Sequence, residues 1–211
     1  MIVGLSKIYL NYQMSFKDLK REYIVDAAKK LFLAKSISEI TIKDISSVSN
    51  IGEATIYRYF NNKENLAIAV SLSIQKEILS ASQTNENKKG IDQISDFFNL
   101  FRNIFVNNRN YFKFIAEFDT IYLNSIKDNN YSLGLDVFFD VFMNAYNLGL
   151  KDGSIKQVKD VNLYYYTSTH SLLELCKKLA STNSSLKQDQ EVSKVSEIEY
   201  LISLFISVIK A

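Results

Sequence analysis

The chain of 211 residues contains no proline and no tryptophan, six glycines, one cysteine and one histidine. Without proline and with few glycines it lacks the residues that interrupt helices and build the tight turns of β folds, so an all-α fold is expected. The single Cys176 excludes an intrachain disulfide, which fits a reducing cytoplasm. The lone His170 excludes a multi-histidine metal site, and six positions from Cys176 it falls on a different helix face, so no Cys–His pair forms. There is no Gly-rich phosphate loop and no G-x-S-x-G elbow; neither an enzyme nor a cofactor is indicated. No apolar run reaches membrane-spanning length. Met1–Gln13 is interrupted by Lys7 and lacks a small-residue cleavage site, so residues 1–14 are expected to be a flexible extension or a misplaced start, and the protein cytoplasmic.

What is present is apolar mass. Nearly half the residues are hydrophobic, enough for a substantial core, and the net charge is only +2. From Met1 to Asn65 ten Lys and Arg stand against seven Asp and Glu, so the positive balance sits in the first third.

Within that third, Thr41–Leu66 reads as two short helices around a tight turn. Thr41, three residues before Asp44, is placed to cap free backbone N–H groups, and Ile42, Ile45 and Val48 keep a helical apolar spacing. Asn50 tolerates the left-handed backbone a sharp reversal needs, and Ile51 plugs the turn. Gly52 opens a helix over Glu53–Phe60 with Ile56 and Phe60 inward, leaving Thr55, Tyr57, Arg58 and Tyr59 outward. That outward set offers hydroxyls for phosphates, a guanidinium for guanine edges and rings for thymine methyls. Asn62 caps a third helix from Lys63, whose first turn offers a cation and free N–H groups to a phosphate. Together these predict a helix-turn-helix that reads DNA.

The run T-I-x-D-I, six residues, then G-E-A-T-I-Y-R-Y-F-N-N-K-E-N-L resembles the DNA-binding signature of TetR-family transcriptional regulators. The resemblance extends upstream through Ile24, Ala27, Ala28, Leu31 and Phe32. It implies that Thr41 and Lys43 lie on the DNA backbone, that Glu53, Ala54, Thr55, Tyr57, Arg58 and Tyr59 lie in the groove, and that Lys63 contacts a phosphate. The family often carries Ser, Lys and Gly where this chain has Gly52, Glu53 and Ala54. An acid at the helix tip weakens phosphate attraction and can accept from cytosine N4, so sequence preference does not transfer.

The rest of the chain reads as a larger helical bundle, giving about nine helices in total. Domain limits are expected at 15–65 for the DNA-binding head and 66–211 for an effector-binding and dimerisation body. The helix from Lys63 is expected to reach about Ser82, with a polar joint at Gln83–Gly90. Further helices are expected from Ile91 to an Asn-rich break at Asn107–Asn110, over Tyr111–Ile126, and over Tyr131–Lys151, where Asp152-Gly153 is the stop. Two more, Val158–Ala180 and about Gln190–Lys210, flank a polar loop at Ser181–Asp189.

In this closing pair Val161, Tyr165, Ser168, Leu172, Leu175 and Leu179, and then Val195, Ile198, Ile202, Phe205 and Ile209, recur three and four apart. Leu201, Leu204 and Val208 occupy another side of the last helix. A helix apolar on two sides needs two covers, so either a partner subunit supplies one or the pair is central to a monomeric bundle. The resemblance implies a homodimer through a four-helix interface, here assigned to Val161, Tyr165, Leu172, Leu179, Ile198, Ile202, Phe205 and Ile209, on a palindromic operator with half-sites about one or more DNA turns apart.

Aromatic residues are dense in the body, and most must be core. The resemblance implies an effector cavity, for which Phe101, Phe118, Tyr122, Phe142, Tyr146, Tyr166 and His170 are the candidates, suited to a lipophilic or aromatic small molecule. The carboxylates Glu117, Asp119, Asp136, Asp140 and Glu174 leave room for a cationic ligand but read better as solvated helix faces. The implied function is a repressor released from DNA by its effector. The rival is a TetR-like chain acting through a protein partner, which Glu53 keeps open.

Overall fold

The computed structural model describes residues 15–81, 87–122, 129–181 and 191–211. Nine helices form over that range: α1 (Phe16–Ala34), α2 (Ile42–Ser49), α3 (Glu53–Phe60), α4 (Lys63–Ala81), α5 (Gly90–Asn107), α6 (Asn110–Tyr122), α7 (Asn129–Asp152), α8 (Val161–Ser181) and α9 (Lys194–Ile209). The all-α head and larger helical body expected from composition are what the chain adopts. Among the described residues the sole β feature is an isolated antiparallel bridge between Ile155 and Lys210. The extension at residues 1–14, Ile126 and nearly all of the Ser181–Asp189 loop lie outside the described residues, as does the Asp136 side chain.

The head is built around Ile24, Ala28 and Phe32 of α1, Ile45 of α2, and Ile56 and Phe60 of α3. Two eight-residue helices beside one longer one cannot close a core, so α4 adds Leu66, Val70 and Ile74, and α6 adds Phe114 and Phe118. The expected limit after residue 65 therefore does not divide the apolar core. Phe114 stacks on Phe32 at 6.1 Å between centroids and on Phe118 at 5.8 Å.

A second cluster joins α5 (Ile94, Phe97, Phe98, Phe105), α7 (Phe142, Ala145, Tyr146), α8 (Tyr165, Leu172, Leu179) and α9 (Ile198, Ile202, Ile209). Its centre is aromatic: Phe142 lies 5.0 Å from Tyr165 and 5.6 Å from Phe97. The buried Gly90, first residue of α5, meets Gly149 of α7 so closely that a Cβ on it would lie 2.1 Å from the Gly149 nitrogen. The free N–H groups of α5 are satisfied across this crossing: Gly90 donates to the Asp152 carboxylate at 2.8 Å, and Ile91 to the Ser154 hydroxyl at 3.2 Å. Gly153, with φ +74°, makes the reversal that brings Ser154 round.

Several boundaries move by a few residues. The first described residues after α4 are a turn at 87–89, and Gly90 is already helical. Helix α8 starts at Val161 instead of Val158, where Asp160 caps it by accepting from the Leu163 N–H at 2.9 Å, while the Val158 N–H donates to the Tyr146 hydroxyl. Helix α9 starts at Lys194, after Ser193, instead of near Gln190.

Candidate nucleic-acid interface

The turn between α2 and α3 follows from its residues. Thr41 and Asp44 form a reciprocal capping box, in which the Asp44 N–H donates to Thr41 Oγ1 at 3.2 Å and the Thr41 N–H to the Asp44 carboxylate at 2.8 Å. The Thr41 hydroxyl also donates to Asp44 at 2.6 Å, and this hydrogen bond, with that from the Thr41 backbone, holds the Asp44 carboxyl below its ordinary range. Asn50 ends α2 at φ 52°, ψ 33°, the left-handed conformation its side chain tolerates. Gly52 then precedes α3 in an extended conformation, with open space where a Cβ would be.

Helix α3 buries Ile56 and Phe60 and exposes Glu53, Ala54, Tyr57 and Arg58, while Thr55 is half-buried. Its far end is fixed by Asn61, at φ 62°, whose N–H returns to the Tyr57 carbonyl at 2.7 Å. Asn62 then caps α4 through the Asn65 N–H at 2.8 Å. Both ends of the eight-residue helix are thus pinned, and its exposed face presents one cation, one acid and one phenol. Lys43, exposed on α2, adds a second cation.

Three of the assigned DNA contacts are placed differently. Lys63 turns inward, its ammonium donating to the carbonyls of Ile37 and Ile40, both at 2.9 Å, so two of its three N–H groups are committed to the α1–α2 connection. Thr41 gives its one hydroxyl hydrogen to Asp44, which leaves a phosphate nothing to accept from it. Tyr59 is half-buried against the head core, its ring 6.4 Å from Phe60. Spacing along a sequence shows that a side chain stands near a helix end, not which neighbour claims its polar atoms.

The structure adds Arg21, unmarked by any motif. From the exposed side of α1 its guanidinium lies over the Phe60 ring, 5.1 Å from the centroid, beside the C-terminal end of α3.

Residues 24–70, spanning this head, match the family model described as bacterial regulatory proteins, TetR family. That stretch is similar to the DNA-binding region of TetR-family regulators. The HTH-type transcriptional regulator TtgR of Pseudomonas putida is 25% identical over 85 residues, a match spanning 40% of this chain and 40% of TtgR. Among solved structures, a TetR-family transcriptional regulator from Agrobacterium tumefaciens superposes with a TM-score of 0.66 at 13% identity, over 91% of this chain and 98% of that one. The fatty acid degradation regulator FadR of Bacillus halodurans gives 0.61 at 17% identity, over 89% and 94%. At those identities the superpositions speak for the fold.

The helices distribute the assigned effector residues over three places. Phe118 and Tyr122 pack with the head core at the foot of α6. Phe101, Phe142 and Tyr146 belong to the body core, where Phe142 stacks on Tyr146 at 6.3 Å. Tyr166 and His170 are exposed on α8, 5.8 Å apart, and Tyr166 lies against Phe139. The seven therefore do not line one chamber. Sequence reasoning missed Gln75 of α4, a buried residue whose side-chain oxygen is, among the described residues, the one buried side-chain acceptor without a hydrogen-bond partner.

The residues assigned to a dimer interface pack within the protomer. Tyr165, Leu172, Leu179, Ile198, Ile202 and Ile209 are buried within the protomer, and Val161 and Phe205 pack against the same core. The opposite face of the pair is the open one: Tyr200 is 68% exposed, Leu204 45% and Val208 51%, and Tyr200 and Leu204 border a groove that Ser171, Leu175 and Leu201 line together with the charged Glu174, Lys178 and Glu197. The last helix is apolar on two sides, as expected, but the side assigned to a partner is the one the chain's own core takes.

Elsewhere, Cys176 is fully buried and burial pushes its thiol up to about 12, so it is packing. Among the described residues no three His, Cys, Asp or Glu converge as a metal site, and no helix is long and apolar enough to cross a membrane.

Proposed function

We propose that this chain is a TetR-family repressor that binds a palindromic operator as a homodimer in the cytoplasm and is released by a small-molecule effector. The observation that carries the reading is α3, a short helix pinned at both ends that turns Tyr57 and Arg58 outward. Phenol and guanidinium suit phosphate oxygens and base edges of the major groove, with Glu53 available to cytosine N4. Lys43 and Arg21 flank it as backbone contacts.

The homodimer is supported by the exposed apolar face of α8 and α9, where Leu175, Leu201, Leu204 and Val208 form a strip continuous across both helices. A second copy placed on it by a twofold axis forms a four-helix interface and presents two α3 helices to one duplex. The effector is supported by Gln75: an unpaired buried acceptor costs about 1–3 kcal/mol, which a donor group on an otherwise apolar ligand would offset. The ligand class this favours is an aromatic or lipophilic compound with one such donor. Its release mechanism is a coupling of about 1–3 kcal/mol between effector and operator sites.

Selection of bound duplexes from a random pool tests this directly. Enrichment of a palindrome, bound with a steep salt dependence, supports the operator-binding dimer. A pool that stays random transfers the case to the rival, a head serving a protein partner, for which the acid Glu53 at the tip of α3 is the favouring observation.

A further inference from the structure

The connection between α1 and α2, residues 35–41, decides where the helix-turn-helix begins, yet its backbone finds few partners within itself: the Glu39 N–H reaches the Ser36 carbonyl at 3.1 Å and the Ile40 N–H the Ile37 carbonyl at 3.3 Å. Its other polar groups are held from two sides. Lys63 of α4 takes the carbonyls of Ile37 and Ile40. Glu117 of α6, eighty residues away in sequence from Ile37, takes the donors: its carboxylate accepts from the Ile37 N–H at 2.8 Å, the Ser38 N–H at 3.1 Å and the Ser36 hydroxyl. Burial would raise the Glu117 carboxyl, but hydrogen bonding from the Ser36 hydroxyl, the Ile37 and Ser38 amides and the Ser38 side chain outweighs it and holds the group below its ordinary range. The hold is rigid at its base, because Phe114 and Phe118 of the same helix are packed into the head core. It continues directly into the DNA-reading unit: Ile40 is buried, Thr41 caps α2, and α2 packs on α3. On the far side, Asp119 of α6 pairs with Lys177 of α8 at 2.8 Å, so one helix is tied to the head at one residue and to the body two residues later.

We propose that Glu117 is a positioning residue for DNA binding, which fixes the α1–α2 connection, and through it the start of the helix-turn-helix, from α6. This rests on the DNA-binding reading above. Glu117 touches no nucleic acid itself; it acts through the backbone of residues 37 and 38. Its neighbour Asp119 supplies the control, a partly buried ion pair of the same helix that involves no head residue.

The test uses the full chain and the duplex that wild type enriches from a random pool. Glu117→Gln keeps the shape but turns an NH2 group toward the loop's N–H donors; Ser36→Ala removes one bond from the head side; Asp119→Asn breaks the body pair. Glu117→Gln is expected to weaken binding about tenfold, the usual scale for hydrogen bonds to a charged group, with Ser36→Ala in the same direction and smaller. The salt slope should stay unchanged, since no phosphate contact is lost. Asp119→Asn should melt earlier yet bind the duplex as wild type does. Wild-type affinity in both Glu117→Gln and Ser36→Ala overturns the assignment, as does an equal loss in Asp119→Asn, which would make it general loosening of α6. If Glu117→Gln does not fold, Ser36→Ala against Asp119→Asn decides. If wild type enriches no duplex, the DNA-binding reading fails first and the assignment with it.

Discussion

Replacing Gly90 by alanine is the sharpest test of how the body is assembled. The added Cβ would lie 2.1 Å from the Gly149 nitrogen, 2.3 Å from its Cα and 2.5 Å from the Ala145 carbonyl oxygen, all backbone atoms that cannot rotate away. An ordinary carbon contact is about 3.5 Å or more, so α5 and α7 must part by more than about 1 Å. Overpacking of this kind costs about 1–3 kcal/mol. Parting also strains the two hydrogen bonds that cap α5, from Gly90 to Asp152 and from Ile91 to Ser154, each worth about 1 kcal/mol. The sum, about 3–5 kcal/mol, is a large share of a typical stability of about 5–15 kcal/mol. Urea denaturation should show it, and the melting temperature should fall by on the order of 10 °C. Gly52→Ala is the control, because a Cβ there meets nothing within 4 Å. A Gly90→Ala loss below about 1 kcal/mol would refute the close crossing.

Further outcomes follow from the same contacts. Leu204→Glu, on the exposed face of α9, should give a folded monomer by sedimentation, whereas Ile202→Glu, in the core, should lose the fold; a persistent Leu204→Glu dimer would move the interface elsewhere. Tyr57→Ala should weaken binding to all duplexes and Arg58→Ala should also relax sequence choice, which side-by-side selections would reveal; unchanged affinity in both would remove α3 from the groove. Acid should destabilise the fold: carboxyls held below their unfolded values, as Glu117 and Asp44 are, stabilise above the ordinary carboxylate range and lose that contribution as pH falls through the lowered native values. Melting temperatures should therefore drop below about pH 4, and a flat profile down to about pH 3 would contradict these hydrogen bonds.

Local signals were legible where one residue decides one conformation. Thr41 with Asp44, Asn50 and the Gly153 stop each specify backbone geometry by their own chemistry, and each stands in the structure where the sequence puts it. The choice of face in α9 was not legible, because Ile198, Ile202 and Ile209 on one side and Leu201, Leu204 and Val208 on the other satisfy the same periodicity. Only the three-dimensional course of α5 and α8 settles which side the core claims. The intramolecular partners of Lys63 and Thr41 were not legible for a related reason, since spacing does not show which nearby carbonyl or carboxylate takes their hydrogens. Glu117 carried no signal at all: its partners are backbone amides of a loop far upstream, which no spacing encodes.

The sharing of one core by α1–α4 and α6 has a consequence for anyone building chimeras. A head cut from this chain after residue 65 would leave Ile24, Phe32 and Ile45 without Leu66, Val70 and Ile74, and even a cut after Ala81 would omit Phe114 and Phe118. Transplanting operator choice into another regulator is therefore better done by grafting the exposed residues of α3 onto the recipient's scaffold than by joining whole modules, since the seam between modules here runs through the middle of a packed interior.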